Sequence, residues 1–94
     1  MFRFKPEIPR ELNIENFREI RAALEALVGP IESLLSMEVG LNFKDSERAM
    51  DWVLTAHFES EEALANYQNH PLHLSVVSLI NEYCFDAKVV DYHL

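Results

Sequence analysis

Tyr67, His70 and His73 are the side chains whose types and spacing best suit chemistry. They close the run Phe58-Glu-Ser-Glu-Glu-Ala-Leu-Ala-Asn-Tyr-Gln-Asn-His-Pro-Leu-His73. An imidazole titrates near neutral pH, so a positioned histidine can take up or release a proton during a reaction. Its position follows from Pro71, which suits the first place of a helix because its missing N–H would have no partner there. The helix so opened carries His73, Val76, Val77, Ile80 and Cys84 on one apolar stripe, spaced i, i+3, i+4, i+7 and i+11. Ser75, Ser78, Asn81 and Glu82 take the other side. His73 is therefore expected to face the core, or a cavity in it, beside an inward Tyr67. One reading makes it a general acid or base in a cleft. The other makes it a core histidine with one ring nitrogen hydrogen-bonded and no chemical role. Trp52 and Leu54 from a strand, with Phe17 and Val77 from helices, are the expected ligand contacts.

His70 belongs at the helix cap, just before Pro71, in a structural role. His70 and His73 do not make a metal pair, since one caps the helix and the other faces inward. No Cys, Asp or Glu joins them at ligand spacing, and Asn69 and Leu72 are poor ligands. His57 and His93 fall on the sheet face opposite the large apolar residues, together with Asp51 and Asp91. Carboxylate–histidine pairs across strands are expected there, as structural contacts. Glycine-rich phosphate loops, Gly-x-Ser-x-Gly elbows and Cys-x-x-Cys pairs are missing from the sequence. Carboxylates such as Glu15, Glu19, Glu25 and Glu47 fall mostly on solvated faces. No cofactor is expected.

These side chains must be held by elements that the same patterns disclose. Met1 to Lys5 alternates as a short strand stopped by Pro6. A helix after Pro9 puts Ile14, Phe17, Ile20, Leu24, Leu27, Val28 and Ile31 on one face, and Gly29-Pro30 stops it. Leu35, Met37, Val39, Leu41 and Phe43 alternate with polar or small residues as a half-buried strand. After a polar loop, a third strand sets Met50, Trp52, Leu54, Ala56 and Phe58 against Asp51, Val53, Thr55 and His57. Ser60 is a good helix cap, with Glu61 and Glu62 in the first turn where negative charge is favoured. That short helix ends near Asn69, Pro71 opens the next, and Ala87 to Leu94 reads as the last strand.

The order β-α-β-β-α(α)-β predicts an α+β, ferredoxin-like fold, with helices on one face of an antiparallel four-stranded sheet. The chain of 94 residues is a single domain spanning 1–94. With 49% hydrophobic residues, disorder is not expected. A net charge of −8 argues against nucleic acid and against an anionic membrane surface. The one cysteine, Cys84, cannot form an intrachain disulfide and suits a reducing compartment. No signal peptide or membrane span is read, so a cytoplasmic location is expected.

Phe58-x-Ser-x-Glu-Ala-Leu-x-x-Tyr-x-x-His-Pro-x-His73 resembles the signature of the stress-responsive α/β-barrel (Dabb) domain family. Met37-Glu-Val-Gly-x-Asn42 resembles the family's second strand, Asp51 its third, and Val89-Val-Asp-Tyr92 its last. The resemblance runs from about Phe2 to Leu94. It implies a homodimer in which two sheets pack face to face into a dimeric α+β barrel of eight strands. Polyketide-cyclising members use the second histidine of His-Pro-x-His as acid or base, which maps to His73, and pair it with a pocket tyrosine, which maps to Tyr67. The plant cyclases carry another histidine on strand three, where this chain has Trp52. They carry one more near the start of strand one, where this chain begins at Phe2-Arg3-Phe4-Lys5; an upstream start would restore it.

The functional expectation is a homodimer of undefined activity that binds a small apolar molecule in the helix–sheet cleft near His73. The alternative is a cofactor-free enzyme, cyclase-like or monooxygenase-like, with His73 as general acid or base. A third reading is a non-catalytic stress-response or interaction protein whose dimer is the working unit.

Overall fold

The computed structural model describes residues 1–94. In chain order it runs β1 (Phe2–Phe4), α1 (Arg10–Glu25), β2 (Ser36–Leu41), β3 (Trp52–His57), α2 (Glu61–Gln68), α3 (Pro71–Tyr83) and β4 (Cys84–Ala87). The four strands form one antiparallel sheet in the order β2-β3-β1-β4, with each strand's alternation sending one set of side chains toward the helices. This is the ferredoxin-like arrangement.

Helix α1 follows Pro9, which caps it by backbone geometry alone, and buries Phe17, Ile20 and Leu24. It ends at Glu25, a turn earlier than its apolar spacing suggests. Leu27 and Ile31 still reach the core, but from the turns that follow, while Val28 and Ile14 are exposed. Gly29, in the turns that follow the helix, takes φ 107°, a left-handed conformation that side chains resist. Strand β2 pairs with β3 along its whole length, from Ser36 opposite His57 to Leu41 opposite Trp52. Phe43 lies beyond it, fully exposed.

The two helix starts nearest the candidate residues form as their residues dictate. Ser60 Oγ accepts a hydrogen bond from the Ala63 N–H at 3.1 Å, opening α2. His70 Nδ1 accepts from the Leu72 N–H at 3.1 Å, and Pro71 takes the first turn of α3. His70 thus does the capping work of a serine or aspartate.

Two expectations are corrected at the end of the chain. Cys84 lies on β4 and not on the α3 stripe, because the backbone turns extended there (φ −123°, ψ 150°). The last strand is Cys84–Ala87 and not Ala87–Leu94. The cause is the shortness of β1. Phe4, Arg3 and Phe2 pair with Cys84, Asp86 and Ala87, which uses up the edge that β1 offers. Phe85 is the extra residue of a bulge in that pairing. The Lys88 N–H still reaches the Met1 carbonyl at 2.9 Å, and residues 89–94 then run on without a strand beside them.

The core lies between sheet and helices. Trp52, Ile20, Leu24 and Ile31 are its largest fully buried side chains. None of the helices is long and apolar enough to cross a membrane.

Candidate functional site

A cavity of about 250 Å³ lies between the helices and the sheet. Phe2, Leu54 and Ala87, from three adjacent strands, form its floor. Leu24 of α1, Tyr67 of α2, and Val76, Val77 and Ile80 of α3 form its walls, and His73 and Asn81 stand at the more exposed rim. Eight of the ten lining residues are hydrophobic, so a ligand there would be held mainly by its apolar surface.

Tyr67 is 6% exposed, with its ring against Phe58 (centroids 5.1 Å apart) and His73 (4.2 Å, planes at 44°). Burial pushes its hydroxyl above the ordinary tyrosine pKa, and no hydrogen bond within the chain contributes to that shift. The hydroxyl is thus held in the neutral form, able to donate one hydrogen bond and to accept others.

His73 Nδ1 lies 3.2 Å from the Gln68 carbonyl oxygen. A carbonyl only accepts, so Nδ1 carries the proton and neutral His73 keeps its lone pair on Nε2. The last turn of α2 therefore fixes the tautomer of the histidine on α3. A half-buried imidazole with its second ring nitrogen free, tilted against a neutral phenol, can accept a proton or a hydrogen bond from a small molecule.

Tyr67, His73, Leu54 and Val77 thus meet around one cavity. Trp52 and Phe17 do not line it. They are packed beneath and beside it, where Trp52 is 1% exposed and stacks on Phe2 (4.1 Å, 12°) with Phe17 at its edge (6.2 Å, 63°). The indole N–H donates to Cys84 Sγ at 3.4 Å, and burial pushes the Cys84 thiol up. Sequence reasoning missed Phe2, Leu24, Ala87 and Asn81 as lining. Val76 and Ile80 share the His73 stripe and could have been added from spacing alone. Asn81 carries an outward signal and borders the cavity only because the cavity opens at that rim.

The expected carboxylate–histidine pairs across strands do not form. Asp51 Oδ2 instead accepts from the Phe4 N–H at 2.7 Å, since β3 begins at Trp52, opposite Phe2, and leaves that donor without a strand partner. His57 Nδ1 meets Ser36 Oγ at 2.9 Å, and His93 Nε2 reaches Glu61 on α2 at 3.2 Å. No three His, Cys, Asp or Glu side chains cluster as a ligand set. A wider depression of about 510 Å³, bordered by Pro30, Glu32, Ser33, Asn66 and His70, has Ile31 as its one hydrophobic residue. It is open to water and offers little to desolvate a ligand.

No curated protein sequence matches the chain. Among solved structures, it is similar to a dimeric, ferredoxin-like protein of unknown function from Bacteroides fragilis. That likeness has 25% identity and TM-score 0.88, covering 99% of this chain and 89% of the other. A dimeric ferredoxin-like protein of unknown function from Jannaschia sp. matches at 21% identity and TM-score 0.78, covering 100% and 93%. One from Thermobifida fusca matches at 20% and 0.73, covering 92% and 77%. The profile of the stress responsive A/B barrel domain matches residues 1–94. With the fold, the His-Pro-x-His helix start and that match in agreement, the chain belongs to the stress responsive A/B barrel domain family.

Proposed function

We propose that this protein is a homodimer that binds a small, largely apolar molecule in the Tyr67–His73 cavity. The observation that carries this reading is the cavity itself: hydrophobic walls, with a buried phenol and an imidazole at the rim. An apolar cavity of about 150 Å³ is known to hold benzene, so about 250 Å³ suits a substituted ring with one polar substituent. The dimer draws support from the Bacteroides fragilis relative, which is dimeric. A free, buried cysteine agrees with a reducing cytoplasm.

Titration of 1-naphthol and naphthalene, followed by amide NMR shifts, tests the binding. The expected result is shifts at Leu54, Tyr67, His73 and Val77, with naphthol bound more tightly than naphthalene. Shifts confined to the depression at His70 and Asn66 would overturn it. A second reading is favoured by the fixed tautomer of His73: a cofactor-free enzyme in which Nε2 takes a proton from a bound phenol or enol while Tyr67 orients it. His73→Ala separates the two. It removes turnover under the enzyme reading and weakens binding only modestly under the first.

A further inference from the structure

The uncharged polar residues of α3 behave in two ways. Ser75 Oγ donates to the Pro71 carbonyl at 3.2 Å, and Ser78 Oγ to the Leu74 carbonyl at 3.4 Å. Both hydroxyls are thus spent on their own helix, one turn back. Asn69, which ends α2, spends its amide in the same way, on the Ala65 carbonyl at 3.0 Å. Asn81 makes no such bond to Val77, one turn back. Asparagine is a poor helix former because its amide competes for nearby backbone groups. Here the amide leaves the backbone alone and stands at the rim of the cavity.

Its place there is set by the helix. His73, Val77 and Asn81 follow one another at i, i+4 and i+8 along α3. Residues so spaced lie one above the other on one side of a helix. Eight residues of rise separate the levels of His73 and Asn81 by about 12 Å. Val77 lies between them, half-buried, and Val76 and Ile80 line the cavity deeper on the same helix. The cavity is therefore a slot along α3, with polar groups at both ends and hydrocarbon between. At one end are the Tyr67 hydroxyl and the Nε2 of His73, held together by their ring contact. At the other is a carboxamide, which offers two donor hydrogens and an acceptor oxygen. No lysine, arginine, aspartate or glutamate borders the slot. A charged group entering at the Asn81 end would lose water and meet no opposite charge, whereas a hydroxyl or carbonyl would be satisfied by the amide.

We propose that Asn81 is a specificity-determining residue, the second polar anchor of the cavity. It selects neutral, elongated molecules that carry a hydrogen-bonding group at each end. This rests on the binding proposed above and adds to it the class of ligand. Water reaches Asn81, which is exposed, so the anchor is worth about one net hydrogen bond, roughly fivefold in affinity.

Three naphthalenes test it: 2-naphthol, with one hydroxyl; 2,6-dihydroxynaphthalene, with a hydroxyl at each end; and 6-hydroxy-2-naphthoate, with a carboxylate at the second end. The intact chain should bind the diol more tightly than either of the others. The diol, and not 2-naphthol, should shift the side-chain NH2 resonances of Asn81. In Asn81→Leu, of similar size and better suited to a helix, the ratio of diol to 2-naphthol affinity should fall about fivefold. A ratio that Asn81→Leu leaves unchanged, or an Asn81 amide that the diol does not shift, overturns the anchor. If 2-naphthol still shifts Leu54, Tyr67, His73 and Val77, the binding proposed above stands without it. Tighter binding of the naphthoate than of the diol overturns the selection for neutral molecules. Failure of all three to bind overturns both the anchor and the binding on which it rests.

Discussion

Two aromatic clusters sit side by side on the same sheet, and only one of them is full. Around Trp52, which is 1% exposed, the rings of Phe2 and Phe17 pack against the indole and its N–H has a partner in Cys84. Around Tyr67, whose ring packs against Phe58 and His73, Tyr67 and His73 border a cavity and the phenol hydroxyl has no partner in the chain. Packing explains the first cluster completely. It leaves the second with an apolar volume and two polar groups, the features on which the proposed binding rests. Neighbouring positions can therefore divide the labour, with Trp52 holding the sheet to α1 and Leu54, two residues on, bordering the cavity.

The largest expected effect falls on the full side. Trp52→Ala should cost about 3–5 kcal/mol, seen as a lower urea midpoint, because a fully buried ring is lost and its neighbours cannot collapse into the space. A loss below about 1 kcal/mol would break the contrast. Adding volume sharpens it. Ile20→Phe, in the packed core, should cost about 1–3 kcal/mol, whereas Val77→Phe should cost less than about 1 kcal/mol and abolish 1-naphthol binding. Equal destabilisation by the two would mean that the cavity is not real space.

His70→Ala should cost about 1 kcal/mol through the lost α3 cap and broaden the His73 ring resonances. The smallest effect is in alkali. Burial raises the Tyr67 pKa, so the folded chain holds that proton more tightly than the unfolded chain. The stabilisation is present in full below the unfolded tyrosine value of about 10 and is lost as pH rises through the folded value. Stability should fall more steeply above pH about 10 in the parent than in Tyr67→Phe, measured by urea unfolding from pH 8 to 11. Parallel curves would show that the hydroxyl is solvated after all.

Much of this was legible from residue types and spacing. Ser60 and the His70-Pro71 pair mark helix starts with local chemistry, so α2 and α3 emerge where the sequence places them. His73, Val77, Tyr67 and Leu54 reach one cavity because helical and strand periods fix which way a side chain faces. Periodicity does not say how deep a side chain sits along its face, which is why Trp52 and Leu54, alike in spacing, part company. Nor can alternation reveal whether a strand has a neighbour. Val89–Leu94 reads as β from its own residues, yet β4 ends at Ala87 and residues 89–94 form no strand.

The bulge at Phe85 decides the polarity of the cavity floor. With that extra residue, Ala87 stands opposite Phe2 and Asp86 opposite Arg3 on the outer face. Were Phe85 itself paired with Arg3, without the bulge, Asp86 would stand opposite Phe2 at the cavity floor. A single unpaired phenylalanine thus keeps an acid away from the cavity floor, and a strand that paired Phe85 in regular register would bring it there.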